Sequence, residues 1–190
     1  MKVIGFTSNY GEQAATPRCY LMADSSILYP GRPFFLPDFA RSFVAVPTIV
    51  VRTGRLGKCI APKFAHRYWD ALSAGFTVRA VQGDDQRLEA LDLAFDGALI
   101  LGQWVDAASC QALEAAVSMM VNGEQVACCR LCDMHHGLDD LLAAVSSRCS
   151  IKMGDILITG DAGSGHVLAA GDRLAASIDG SPVLDVKVRL

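Results

Sequence analysis

The sequence predicts an α+β domain, predominantly β with two or three short helices, and three observations carry that expectation. Short β-branched and apolar runs recur along the chain, set apart by glycines and prolines. Only two segments repeat apolar residues at the three- and four-residue spacing of a helix face. Asn122-Gly123 lies between two alternating runs, which is the strongest short-range hairpin signal a sequence offers. At 190 residues, 52% of them hydrophobic, the chain can bury one sizeable core, so a single domain over residues 1–190 is expected.

In chain order, residues 2–7 are β-branched and apolar enough for an opening strand. Residues 24–38 form a loop or a set of short edge strands, because Pro30-Gly31 and Pro33 interrupt any helix. Strands follow at 48–53, stopped by Gly54, and at 75–82. Leu88, Leu91 and Phe95 share a helical spacing behind an N-cap at Asp84 or Asp85, which predicts a short helix over 84–95 ended by Gly97. Alternation through Leu113, Ala115, Val117, Met119 and Val121 predicts the first arm of the hairpin and 126–131 the second. The Ala, Leu, Glu and Met content leaves a helix over 110–120 open. Leu138, Leu141, Leu142 and Val145 lie on one face of a helix over 138–148, with Asp139 and Asp140 suited to its N-terminal dipole. Residues 155–159, 173–178 and 183–190 read as strands, the last two joined at Asp179-Gly180.

The composition excludes several classes. A formal net charge of -3 argues against a protein that holds nucleic acid by bulk positive charge. No stretch approaches the roughly 20 apolar residues that span a bilayer, so no membrane partner is expected. The opening Met1-Lys-Val-Ile-Gly-Phe-Thr is too short an apolar run for a signal peptide. Seven cysteines, odd in number and irregular in spacing, suit reduced thiols. The chain therefore reads as cytoplasmic.

Four local constellations bear on chemistry. Cys128, Cys129, Cys132, His135 and His136 are ligand types that suit a soft metal, but on a strand Cys128 and Cys129 point to opposite faces, so buried thiols and loop histidines are expected instead. Thr159-Gly-Asp-Ala-Gly-Ser-Gly-His166 lacks both the phosphate-loop lysine and the nucleophile elbow, and reads as turn chemistry between strands. Lys63, His66, Arg67, Tyr68 and Trp69 form a small basic and aromatic patch read as scaffold, with His66 a hydrogen-bonded structural histidine. Arg79 falls on a strand, where an inward guanidinium needs an anionic partner or ligand.

A set of ordered motifs then carries a resemblance. Pro33-Phe-Phe-Leu-Pro-Asp-Phe39, Val50-Val-Arg-Thr-Gly-Arg-Leu-Gly-Lys58, Lys63-Phe-Ala-His-Arg-Tyr68, Phe76-Thr-Val-Arg-Ala-Val-Gln82, Phe95-Asp-Gly97 and Lys152-Met-Gly-Asp-Ile-Leu-Ile-Thr-Gly160 followed by Gly171-Asp-Arg-Leu174 resemble small bacterial members of the fumarylacetoacetate hydrolase family over nearly the full length. The resemblance implies a mixed β-sandwich or roll, usually dimeric. It also implies magnesium- or manganese-dependent cleavage, decarboxylation or isomerisation of 2-oxo acids and β-diketones, in which a hard cation polarises the dicarbonyl.

The same resemblance fails where that chemistry needs its residues. The family's two metal glutamates fall on Val46 and Thr48, its third ligand on Gly75, and the second Asp of that motif on Ala80. The lysine falls near Leu93, the N-terminal histidine on Gln13, and the Thr and Pro of the family's Thr-Gly-Thr-Pro turn on Asp161 and Ala162. Val46, Thr48 and Gly75 offer no carboxylate, so neither magnesium nor manganese, nor any other cofactor, is expected and no catalytic residue is assigned. Arg79 and Gln82 match family pocket positions; with Asp161 and Asp24 they are the substrate-pocket candidates. Three functions follow: a pseudoenzyme that keeps the fold and binds a small carboxylate or 2-oxo acid; an active hydrolase or isomerase rebuilt on Asp24 and Asp161; or a structural dimer module. A homo-oligomer, or pairing with a related chain, is expected.

Overall fold

The computed structural model describes residues 1–11, 18–82 and 90–190. Among them the elements run β1 (Val3–Phe6), β2 (Cys19–Met22), β3 (Ile27–Leu28), β4 (Phe34–Phe35), β5 (Ser42–Thr53), α1 (Pro62–Ala65), β6 (Trp69–Val81), β7 (Leu99–Leu101), β8 (Val105–Asp106), β9 (Val117–Val121), β10 (Glu124–Cys129), α2 (Leu138–Arg148), β11 (Ile156–Ile158), β12 (His166–Val167), β13 (Arg173–Ile178) and β14 (Ser181–Arg189). Short 3-10 turns lie at 24–26, 90–93 and 131–133.

The strands form two mixed sheets. The larger follows the order β2-β1-β11-β5-β6-β7-β3, with β12 also paired to β5 and β8 to β6; the smaller is β10-β9-β13-β14-β4. Most pairs are antiparallel, but β1–β11, β3–β7 and β4–β14 are parallel. Ile49, Val51, Leu72, Phe76, Met119, Leu174 and Val186, drawn from both sheets, share one core with Leu142 of α2. Side chains alternate across a strand, so Val50, between Ile49 and Val51, points to the other face. There it joins a second apolar cluster with Val3, Leu99, Leu101, Ile156 and Ile158. This outer face of the large sheet carries the candidate site.

Local chemistry explains most of the elements. The hairpin turns at Asn122 and Gly123, both at positive φ, and α2 buries Leu138, Leu141, Leu142 and Val145 along one stripe. The segment 107–114 is a series of turns, so the helix left open over 110–120 is absent and the strand begins at Val117. The helix expected over 84–95 is corrected where it can be followed. Residues 84–89 lie outside the described residues; 90–93 is a single 3-10 turn, in which Leu93 is buried and Leu91 exposed. Its spacing signal failed because Phe95 sits past the turn, in an aromatic cluster with Phe39 and Phe43. Helix α1 was not expected; Pro62 opens it, at a position where a missing N–H costs nothing. Among the described residues no helix is long and apolar enough to cross a membrane.

The N-terminus is tied to the sheet by Asp155, which is fully buried and accepts hydrogen bonds from the Lys2 ammonium, the Lys2 N–H and the Lys152 N–H. Burial alone would raise its pKa; these hydrogen bonds outweigh burial and hold the carboxyl below the usual carboxylate range. A depressed folded-state pKa gives stability that is present above the unfolded value of about 3.9 and is lost as pH falls through the folded value. Asp155→Asn is expected to cost about 2 kcal/mol at pH 7 and to flatten the loss of stability below about pH 4, read from urea unfolding across pH.

Candidate functional site

The β5–β6 ladder brings the three expected ligand positions together. Thr48 pairs with Gly75, Val46 with Thr77 and Val44 with Arg79. By alternation all of these point to the outer face of the large sheet. Ala80 points the other way, into the core between the sheets.

One edge of β5 is covered in two pieces, since β11 pairs with 50–52 and β12 with 44–45. Pro47 lies in the gap. Its carbonyl faces the gap and so does its nitrogen, so the N–H that proline lacks is not missed by β6. Residues 159–162 fill the opening: Thr159 donates its N–H (3.0 Å) and hydroxyl (2.9 Å) to the Ile49 carbonyl, and the Ala162 N–H bonds to the Pro47 carbonyl at 2.8 Å. The Thr48 hydroxyl donates to the Gly160 carbonyl at 2.8 Å.

Asn9, fully buried, braces the loop from behind. Its amide donates to the carbonyls of Thr159 and His136 and accepts from the His136 N–H. Gly160 has φ 141 and backs onto Asn9, where a β-carbon would overlap the Asn9 side chain.

The braced loop delivers Asp161 to Arg79. The guanidinium Nη2 donates to Asp161 Oδ1 at 2.5 Å, and the two side chains are 18% and 23% exposed. The anionic partner that Arg79 requires is therefore a residue of its own chain. Among the described residues, Arg79 Nε and the hydroxyl oxygen of Tyr20 are buried with no hydrogen-bond partner. Tyr20 packs against the outer-face cluster, and burial pushes its pKa up, with Arg79 opposing and Asp161 adding. Nothing in the sequence singled out Tyr20; its register opposite Gly5, over which its ring lies, is the feature that places it there.

The remaining candidates are dispersed. Gln82 is exposed, just past the end of β6. Asp24 is 60% exposed and pairs with the Met1 ammonium at 3.8 Å, beyond Met22 and so at the opposite end of β2 from Tyr20. The two carboxylates considered for a rebuilt site thus engage different cations. Leu93 is buried in the outer-face cluster, and Gln13 lies outside the described residues.

The residues present do not fit a hard dication. Such an ion needs several oxygen ligands, and the three ligand positions offer one side-chain oxygen, the Thr48 hydroxyl, whose proton is already on Gly160. A β-carbon at Gly75 would overlap the Ile100 carbonyl of the neighbouring strand, so β6 and β7 approach too closely for a side chain there. Among the described residues no three His, Cys, Asp or Glu groups are placed to hold a metal.

The other constellations resolve as structure. Cys128 and Cys129 face opposite ways, exposed and buried respectively, and burial pushes the Cys129 thiol up to about 12. Cys128 and Cys132 are both exposed, a correction to the expectation of buried thiols. His66 is also corrected: it is exposed at the end of α1. His166 Nε2 meets Asp172 Oδ2 at 3.0 Å, beside the turn that Asn122 and Asp172 close.

The match to the fumarylacetoacetate (FAA) hydrolase C-terminal family model spans residues 5–189. The chain belongs to that family. Solved structures agree with the fold. 5-Carboxymethyl-2-hydroxymuconate delta-isomerase from Mycobacterium smegmatis superposes with a TM-score of 0.87 at 22% identity, covering 99% of this chain and 78% of that one. Fumarylpyruvate hydrolase from Pseudomonas aeruginosa, in complex with Mn2+ and pyruvate, gives 0.88 at 19% identity, covering 100% and 90%. At these identities the likeness speaks for the fold alone. The chain matches no curated protein sequence.

Gly75→Ala is expected to cost about 3 kcal/mol and Gly75→Asp more, because the new atoms meet a backbone carbonyl that cannot turn aside. Chemical denaturation of the two variants checks the order.

Proposed function

We propose that this family member is a pseudoenzyme, without the magnesium- or manganese-dependent hydrolase, decarboxylase or isomerase chemistry, whose fold keeps a small-molecule pocket on the outer face of the large sheet. The observation that carries the reading is the Thr48–Gly75 pair. Both positions lie where the family's carboxylates would converge; one is a hydroxyl bonded to Gly160 and the other has no room for a side chain. Arg79, paired with Asp161, is the charged group proposed to serve that pocket. Family resemblance supports a homodimer or pairing with a related chain. The seven free thiols suit a reducing, cytoplasmic setting.

Calorimetric titration with magnesium and manganese tests the reading, alongside a turnover assay on an acylpyruvate in both metals. The expected outcome is no saturable heat up to about 10 mM metal, well beyond the roughly 1 mM of weak hard-cation sites, and no turnover above the blank. Micromolar manganese binding that Asp161→Ala abolishes would establish an active, rebuilt site instead.

A further inference from the structure

We infer that the end of the molecule formed by residues 54–68 and 147–154 docks on an anionic membrane, with Leu56 and Met153 entering the lipid and the surrounding lysines and arginines meeting the headgroups. This surface lies apart from the outer-face site, and the inference does not depend on the functional reading above.

Charge is unevenly placed along the chain. The two segments hold six of its 17 Lys and Arg residues, Arg55, Lys58, Lys63, Arg67, Arg148 and Lys152, and none of its 20 Asp and Glu. A basic end thus belongs to a chain that is acidic overall. All six are exposed, and among the described residues none is paired with a carboxylate. Lys58 Nζ and Arg148 Nη1 donate to carbonyls instead, those of Ser147 (3.2 Å) and Ala144 (3.0 Å). Helix α2 keeps the same division, with Asp139 and Asp140 in its first turn and Arg148 in its last.

Backbone contacts hold the two segments together. Gly57 and Ile151 exchange N–H bonds to each other's carbonyls at 2.9 and 2.8 Å, and the Gly154 N–H donates to the Thr53 carbonyl at 2.7 Å. Arg55-Leu56 and Lys152-Met153 lie side by side between these two ties. The Gly54 N–H donates to the Tyr68 carbonyl at 2.9 Å, which closes the loop and returns Arg67 to its start.

Large apolar side chains stand out among the cations. Leu56 is 71% exposed and Met153 76%, while Phe64, also exposed, has the Lys63 ammonium 4.9 Å and the Arg67 guanidinium 5.1 Å from its ring centre. Apolar tips on tied turns, flanked by long cationic side chains, suit a medium that is negative at its surface and apolar beneath. A nucleic acid would satisfy the cations but leave Leu56 and Met153 in water, so the geometry favours lipid. Attachment of this kind needs no spanning helix.

Cosedimentation of the full chain with vesicles tests the surface, using phosphatidylcholine alone and equal parts phosphatidylcholine and phosphatidylserine at physiological salt. Three variants accompany the wild type, each first shown to melt cooperatively: Leu56→Ser with Met153→Ser, Arg55→Gln with Lys152→Gln, and Lys187→Gln as a control on the exposed face of β14. The wild type is expected to sediment with the phosphatidylserine vesicles and to stay in solution with phosphatidylcholine alone. Loss of the apolar pair should weaken partitioning at least about tenfold and loss of the charged pair about thirtyfold, with Lys187→Gln unchanged. No sedimentation with phosphatidylserine, equal binding to phosphatidylcholine, or a Lys187→Gln loss as large as that of the charged pair would overturn the inference. A loss in the charged pair alone would mean contact without insertion and would overturn it too. Tighter binding of a DNA duplex than of the vesicles would do the same, by giving the cations to a nucleic acid.

Discussion

The outer face of the large sheet is organised by a gap in its hydrogen bonding. β11 and β12 cover β5 on either side of Pro47, and the carbonyls of Pro47 and Ile49 would otherwise be left without a strand to pair with. A buried carbonyl without a partner costs about 1–3 kcal/mol. Residues 159–162 relieve that cost by laying their own N–H and hydroxyl donors into the gap. The loop is consequently a part of the sheet rather than a free connection, and where it runs is fixed by backbone groups that cannot move. Asp161 meets Arg79 because of this constraint, and Asn9 and Thr48 reinforce it from opposite sides.

The ion pair that results is not chiefly a source of stability. Both side chains keep some exposure, and the desolvation of two charges offsets much of their attraction. Its consequence is chemical. A guanidinium on the outer face, left alone, is an anion receptor; with a tethered carboxylate on Nη2 its charge is matched by a residue of the same chain. Stability of the region comes instead from the apolar cluster beneath it and from the satisfied backbone of the loop.

Much of the fold was legible from period and punctuation. Asn122-Gly123 and the 138–148 helix stand where turn chemistry and a helical stripe put them, while the arm expected over 126–131 runs from Glu124 to Cys129 and gives way to a 3-10 turn at Leu131. β5 and β6 extend well before the expected starts at 48 and 75, because Pro47 and Gly75 look like breaks in a sequence. In three dimensions Pro47 faces the gap and Gly75 permits close approach of β7, so neither interrupts its strand. The site was legible only in part. Arg79 and Asp161 were each picked out, yet their pairing depends on a contact between residues 82 positions apart that no local pattern encodes. Tyr20 carried no motif at all, and its place over Gly5 comes from sheet register.

The residues at the family's ligand positions form a consistent set. Three carboxylates can converge on one sheet face only when a cation neutralises them; without one they repel across a medium that screens poorly. Val46 and Thr48 are β-branched, as a buried strand favours, and Gly75 lets two strands close. Each replacement therefore removes a charge and adds a feature that suits a sheet. Reintroducing a single carboxylate would restore the repulsion without the cation, and at Gly75 it would also force the β6 and β7 backbones apart. At the family's three ligand positions sheet packing thus stands in place of carboxylates, and the Arg79–Asp161 ion pair lies one same-face pair beyond Val46 and Thr77.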